Sequence, residues 1–399
     1  MSQRIYITGL GVISAIGNNV PETLASLIQS RTGIGKIHYL TTRYKDEFLA
    51  GEIKLSNEQL ADLVNDHNPD LNRNSYIAML AAKEAVQNSG IDTGDGLRTG
   101  VISSTTVAGM GKTELYYKEL FEKDDHLSVL DTHDCGDSTE RIADFLGNVD
   151  YVTTISTACS SAANAVMLGC RMIRNGLLDR AVVGGVDALS KFTFNGFNTL
   201  MILDKEWSKP FDENRKGLNL GEAAAFLVIE GEEALKKRNG KALAEIVGYA
   251  NANDAYHQTA SSPEGYGAQM AIEQALQMSG LKPGDIDYIN MHGTGTPNND
   301  LSEGTATRAV FGDRVPRFSS TKAFTGHTLA AAAAIEAVIS VLSIQNDMIF
   351  PNLNFTTPIA GLDLVPETTL VRTPVNTVLS NSFGFGGNCS SLIFKKVSA

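Results

Sequence analysis

Short β-branched apolar runs alternate along the chain with longer stretches whose apolar residues recur every three to four positions. This is the pattern of an α/β protein. "RIYITGLGVIS" and "RTGVISSTT" predict strands, and "RAVVGGVDAL" and "AAAFLVIEG" predict further, buried ones. "NSYIAMLAAKEAVQNSG" predicts a helix that stops at Gly90. The charged stretch "GEEALKKRNGK" predicts an internal boundary, helical rather than a flexible linker, and divides the chain into halves 1–240 and 241–399.

The two halves share a pattern. "TTISTACSSAANAVMLGCRMIRNG" and "RFSSTKAFTGHTLAAAAAIEAVISVL" each read as a strand, a short turn and a small-residue helix. Cys159 and His327 fall at the same place, just before their helices. This is a weak internal repeat of one supersecondary unit. If a pseudo-twofold axis relates the units, the two turns face each other and share one pocket.

The chain has 399 residues, enough for one large or two ordinary domains. Its 43% hydrophobic and 20% charged residues fit a soluble globular protein. No run reaches the roughly 18 apolar residues of a membrane span, and "MSQRIYITGLGVISAIG" does not read as a signal peptide. Cys135, Cys159, Cys170 and Cys389 lack paired spacing, which predicts reduced thiols and a cytoplasmic location. A net charge of −12 argues against nucleic acid as the main partner, while a local basic patch can still meet an acidic protein.

Four segments carry candidate chemistry. In "ISTACSSAAN", Cys159 at a helix N-terminus would have its thiolate stabilised by unpaired N–H groups and the helix dipole. Read alone, it is more often a small buried residue of the kind Cys170 represents. "YINMHGTGTPNND" places His292 at a strand end, where α/β proteins build sites, with Thr294 and Thr296 offering hydroxyls two residues apart. "SSTKAFTGHTLAAAAA" sets Lys322 and His327 five residues apart across a turn. "LSNSFGFGGNCSSLIF" is a glycine-rich loop between strands, either a plain hairpin or a source of oxyanion-binding N–H groups. "DDHLSVLDTHDCGD" gathers His126, His133, Cys135 and several aspartates, but at no compact zinc spacing, and reads as a solvated acidic loop.

Taken together, these segments resemble the β-ketoacyl-acyl-carrier-protein synthases, the elongating Cys-His-His condensing enzymes, from "ITGLGVISAIGNN" to "NSFGFGGN". The resemblance implies a thiolase-like, five-layered αβαβα fold built from two similar halves. It implies decarboxylative Claisen condensation of an acyl thioester with malonyl-acyl carrier protein. No redox cofactor or catalytic metal is implied, and the substrates ride on phosphopantetheine. Acyl carrier protein is the implied partner, and the assembly is a homodimer or a heterodimer with a chain-length-factor-like subunit. Residue by residue, Cys159 matches the acylated nucleophile, and His292 and His327 match the two active-site histidines. Lys322 matches the lysine beside the second histidine, and Glu303 the acid expected to pair with it. Phe383 matches the gating phenylalanine, whose N–H would form an oxyanion hole with that of Cys159. Thr294 and Thr296 match pantetheine-binding hydroxyls. Asp254, His257 and Thr259 match a segment bordering the entrance, and Val107 the position that limits the acyl pocket. Glu336 and the Asn290 carbonyl match a structural monovalent-cation site.

The chain also departs from the pattern. "RKGLNLGEAAA" and "GFGGNCS" replace "RDGFVxGEGAG" and "GFGGTN", and these variants look like the ketosynthases of aryl-polyene pathways. A carrier-docking arginine is missing from "GFNTLMILDKEW", which leaves Lys205, Lys209 and Arg171 as candidates for contacting an acidic carrier. Cys389 raises a thiolase as the rival reading. A thiolase, however, places its second cysteine in a "CxGGG"-like loop, and here the glycines precede Cys389.

Overall fold

The computed structural model describes residues 3–122 and 126–397. The strands of its main sheet are β1 (Ile5–Ser14), β2 (Thr99–Ser104), β3 (Tyr151–Ile155), β4 (Arg180–Asp187), β5 (Ala223–Gly231), β6 (Ala244–Asn253), β7 (Tyr288–Asn290), β8 (Arg317–Ser319), β9 (Thr377–Phe383) and β10 (Asn388–Lys395). They lie in the order β8-β7-β9-β10-β6-β1-β5-β4-β2-β3. β2 pairs in parallel with β3 and β4, and β5 runs antiparallel between β4 and β1. β7 pairs in parallel with β8 and β9, and β10 runs antiparallel between β9 and β6. The second five strands thus repeat the order and directions of the first. The two sets meet where Tyr6 and Ile7 of β1 face Glu245 and Ala244 of β6.

Helices cover and separate these two sets. They are α1 (Arg73–Ser89), α2 (Ser161–Arg174), α3 (Tyr266–Ser279), α4 (Pro297–Phe311) and α5 (Ala332–Asn346). α2 and α5 share one core cluster with Leu227 and Ile229 of β5 and with Val378 and Leu392 of β9 and β10. α1 packs Ile77, Ala81 and Ala85 on the other face of the first set, against Val101, Val182 and Phe226. α3 and α4 do the same for the second set, with Ala271, Ile272 and Ala306 on Ile289, Leu379 and Ile393. The result is the αβαβα layering of the thiolase fold.

This layering explains the apolar runs. Along β5, Ala225, Leu227 and Ile229 face the middle layer while Ala224, Phe226 and Val228 face α1, so a strand covered on both sides has no polar alternation. Leu329–Asn346 has a mean hydropathy of 1.6, enough for a membrane span by composition, yet it is 89% buried as the core helix between the sheets. Small residues let the layers approach: a Cβ on Gly169 of α2 would stand 2.7 Å from the Val183 side chain. α1 ends at Gly90 in a left-handed conformation, as its sequence predicts. "GEEALKKRNGK" contains the helix Glu232–Lys237 between β5 and β6.

The acidic segment expected to be a loop is partly helical, over Ser128–Asp131 and from Asp137. His133 Nδ1 lies 3.0 Å from the Thr113 hydroxyl, and His126 stacks on Tyr116 at 4.2 Å. Asp124 and Asp125 lie outside the described residues.

Candidate active site

Cys159 sits in the turn between β3 and α2 and is 5% exposed. The preceding residue, Ala158, takes the left-handed conformation (φ +53°). Such strain persists only where the surroundings over-determine it. Here the Thr157 N–H donates to Ser161 Oγ at 2.8 Å, and that hydroxyl donates back to the Ala158 carbonyl. The glycine loop between β9 and β10 closes over the turn. A Cβ on Gly384 would come within 3.1 Å of the Cys159 nitrogen. Asn388 Oδ1 accepts from Ser160 Oγ at 2.6 Å, Asn251 Nδ2 at 2.7 Å and Asn164 Nδ2 at 3.1 Å. Asn388 is a binding-loop anchor that sequence reasoning missed; its one signal was the variant spelling "GFGGNCS".

Around the sulfur, His327 Nε2 stands 3.1 Å from Sγ, and the backbone N–H groups of Phe385 and Cys159 itself also face it. Burial pushes the thiol up to about 11, against the pull of the Lys322 ammonium and those two N–H groups. The thiolate expected from the helix end is therefore not the resting form, because desolvation outweighs it. The Leu329 N–H donates to His327 Nδ1 at 3.2 Å, which assigns the proton of the neutral ring to Nε2 and makes His327 a donor toward the sulfur. His292 faces His327 edge-on, with ring centroids 5.3 Å apart, and its buried Nδ1 has no partner among the described residues. Burial, followed by the Lys322 charge, holds both imidazoles well below their ordinary range, so both are neutral at neutral pH.

The supporting charges differ from expectation in one respect. Lys322 pairs with Glu336, not Glu303, and donates to the His292 carbonyl at 2.6 Å. Glu303 instead accepts from the backbone N–H groups of His292 at 2.9 Å and Gly293 at 2.8 Å, and so fixes the turn itself. The reason is directional: a carboxylate projecting from α4 meets two N–H donors of that turn before it can reach the lysine. Burial raises both carboxyls to about 7. Ser382 Oγ lies 3.4 Å from Glu336 Oε2, and the buried Asn290 Oδ1 has no hydrogen-bond partner among the described residues.

Phe383 also departs from its expected role. As the last residue of β9 it is paired with Cys389, and its ring lies in the core 6.0 Å from His292. The N–H that faces Cys159 belongs to Phe385, two residues on, whose half-buried ring stacks on Phe197 at 5.8 Å. Thr294 and Thr296 hydroxyls lie 2.9 Å apart, and Thr296 also caps α4. Val107 is buried with Leu189, Phe194 and Leu329. His257 and Thr259 are exposed on a segment tied to the glycine loop by Gly386 N–H to the Gln258 carbonyl at 2.7 Å. Asp254 builds the turn before α3 by accepting from Ser262 N at 2.6 Å and Oγ at 2.8 Å. Lys205 and Lys209 carry acidic neighbours, Glu47 at 3.3 Å and Glu206 at 3.6 Å. Arg171 is exposed in the last turn of α2, with its guanidinium over the Tyr249 ring at 5.9 Å. Cys389 is buried on β10, and burial pushes its thiol up to about 12.

Residues 2–234 match "Beta-ketoacyl synthase, N-terminal domain", and residues 243–356 match "Beta-ketoacyl synthase, C-terminal domain". The chain belongs to the β-ketoacyl synthase family. It is an acyl-transferring condensing enzyme of the elongating ketosynthase type. This ketosynthase is 34% identical over 419 residues to 3-oxoacyl-[acyl-carrier-protein] synthase 2 of Staphylococcus aureus (strain N315), covering 100% of this chain and 99% of that one. The ishigamide ketosynthase/chain length factor is similar at 32% identity and TM-score 0.93, with 100% of each chain covered. A type II polyketide-synthase structure, acyl-carrier protein AntF in complex with its ketosynthase AntDE bound to the hexaketide, is similar at 27% identity and TM-score 0.89 over 100% of each chain.

Proposed function

We propose that this ketosynthase elongates an acyl group by condensing it with malonyl-acyl carrier protein to give 3-oxoacyl-acyl carrier protein. The observation that carries this reading is the Cys159 sulfur lying 3.1 Å from a neutral histidine that donates, with a second neutral histidine beside it. In the first step Cys159 takes the acyl group from a carrier thioester, and its proton leaves with the carrier thiol. The acyl oxygen binds between the N–H groups of Cys159 and Phe385. In the second step malonyl thioester loses carbon dioxide, and N–H groups of His292 and His327 stabilise the enolate oxygen. The carbanion attacks the acyl carbon, the Cys159 thiolate departs, and solvent returns its proton. Holding the two thioesters together and excluding water supply the remaining acceleration.

Thr294 and Thr296 border the pantetheine arm, the segment with His257 and Thr259 lines the entrance, and Val107 limits the acyl chain. Asp254 shapes that segment, and Phe383 backs His292. Lys322 and Glu303 act on the His292 turn. A structural monovalent cation fits at Glu336 and Asn290, on the strength of the unpartnered Asn290 oxygen, and would add positive charge beside the Glu336 carboxylate. The chain divides at 240/241, as the repeated strand order supports.

The assembly is a dimer in which a second copy covers the open edge at β3, where Val152 is 41% exposed. A heterodimer with a chain-length-factor-like subunit is the second reading, favoured by the likeness to the ishigamide ketosynthase/chain length factor. Light scattering of the chain purified alone separates the two. Four free cysteines support a cytoplasmic location. The test of function is incubation with acyl- and malonyl-carrier protein. A 3-oxoacyl product from the parent and none from Cys159→Ala is expected, and product from Cys159→Ala would overturn the assignment. The mass of the acyl group carried on Cys159 after purification distinguishes fatty-acid from polyene or polyketide synthesis.

A further inference from the structure

We propose that Asp187 is a positioning residue that sets both walls of the acyl site, holding the Val107 loop and the His327 turn with one buried carboxylate. This rests on the ketosynthase reading above. Asp187 ends β4 and is 0% exposed. Its Oδ1 accepts from Thr105 Oγ1 at 2.6 Å, the Thr106 N–H at 2.9 Å and the Val107 N–H at 3.1 Å. Its Oδ2 accepts from Thr106 Oγ1 at 2.6 Å and the Ala330 N–H at 2.8 Å. Those donors fill the four or so acceptor sites a carboxylate offers. The first four come from the loop after β2, and the fifth comes from the other half of the molecule.

Both segments held by this carboxylate contain a left-handed residue that is not glycine. Ala108 has φ +45°, and its N–H donates at 3.0 Å to Thr105 Oγ1, the same hydroxyl that donates to Asp187. Leu329 has φ +52° and lies between His327 and Ala330; its own N–H holds His327 Nδ1, and the next N–H along the chain is the one bound by Asp187. Strained residues of this kind persist only where neighbours fix them on both sides. Asp187 supplies one of those fixings for each. It therefore acts through Leu329 on the histidine tautomer, and through Thr105 and Thr106 on the residue that limits the acyl chain. A buried carboxylate whose partners among the described residues include no cation has a purpose here that core packing alone would not require.

The test is Asp187→Asn in the full chain, since the amide keeps the shape but replaces one acceptor oxygen with a donor. Histidine ¹⁵N NMR is expected to show His327 as the Nε2–H tautomer in the parent and as a mixture in the variant. The kcat for 3-oxoacyl formation is expected to fall about 10–100-fold with KM for malonyl carrier within about threefold, the size of losing a hydrogen bond to a charged group. A variant that keeps the single tautomer and a kcat within about twofold of the parent overturns the proposal. Failure of the parent to condense would sink the ketosynthase reading instead, and the tautomer readout would still decide the role of Asp187. Should Asp187→Asn not fold, Thr106→Val removes one donor and leaves the carboxylate. It is expected to lower kcat about threefold, and a parent-like kcat would overturn the proposal.

Discussion

The two halves of this ketosynthase share one strand order but end their third strands differently. After β3 the chain turns through Cys159 and enters α2 at Ser161. After β8 it makes a short helix at Lys322–Thr325, passes His327, and forms a 3-10 turn at Leu329–Ala331 before α5 begins. The first ending offers a nucleophile and its own backbone N–H. The second offers a neutral imidazole held by a backbone amide, with a buried ammonium behind it. One structural unit, used twice, thus brings unlike chemistry to a shared pocket. The second strands diverge too, since β2 leads to the Val107 wall and β7 to the His292 turn. The repeat supplies the frame, and the turns supply the difference.

The largest expected effect removes the first ending. Cys159→Ala should lower condensation by at least about 10⁴-fold, as loss of a nucleophile does elsewhere, while the unfolding midpoint stays near that of the parent. Removing either imidazole of the second ending should cost less. His292→Ala and His327→Ala are each expected to slow decarboxylation of malonyl carrier about 10²–10³-fold, the size of losing one donor to a developing oxyanion. Unchanged carbon dioxide release would take that histidine out of the mechanism.

Lys322→Met strips the buried Glu336 of its counter-charge and should destabilise the fold by about 3–5 kcal/mol, read as a lower urea midpoint. Equal stability would show the pair to be dispensable. The smallest effect concerns pH. Burial raises the Cys159 thiol to about 11, so its thiolate fraction is small at neutral pH and grows as pH climbs. Alkylation of Cys159 by iodoacetamide in the free enzyme should keep accelerating above pH 9, and a plateau below pH 8 would contradict the desolvation argument.

Much of the frame is legible in the sequence. β5 is a continuous apolar run because both of its faces are covered, and α1 announces its end with Gly90. The charged stretch after β5 falls between the two sets of strands, where it forms the helix Glu232–Lys237. Distances that depend on how helices are rotated are not legible. The resemblance pairs Lys322 with Glu303, whereas the structure pairs it with Glu336. Only the direction in which α4 and α5 project their carboxylates decides that Glu336 takes the ammonium while Glu303 takes two amides. In "SFGFGG" two phenylalanines stand two residues apart. The point at which β9 ends sends Phe383 into the core and brings the Phe385 N–H to the sulfur. Asp187 reads as an ordinary strand end in "GGVDAL", because its partners come from loops about 80 and 140 residues away in sequence. The thiol follows the same lesson: the helix end beside Cys159 is visible in the letters, whereas the burial that outweighs it is not.

Separating the two half-reactions tests the division of labour between the halves most directly. The parent, His292→Ala and His327→Ala are each given acyl-carrier protein alone and weighed intact, then given malonyl carrier and followed for carbon dioxide. Expected is an acyl adduct on Cys159 in all three proteins, with carbon dioxide released at speed only by the parent. Full carbon dioxide release by either histidine variant, or an adduct on any residue other than Cys159, would contradict it.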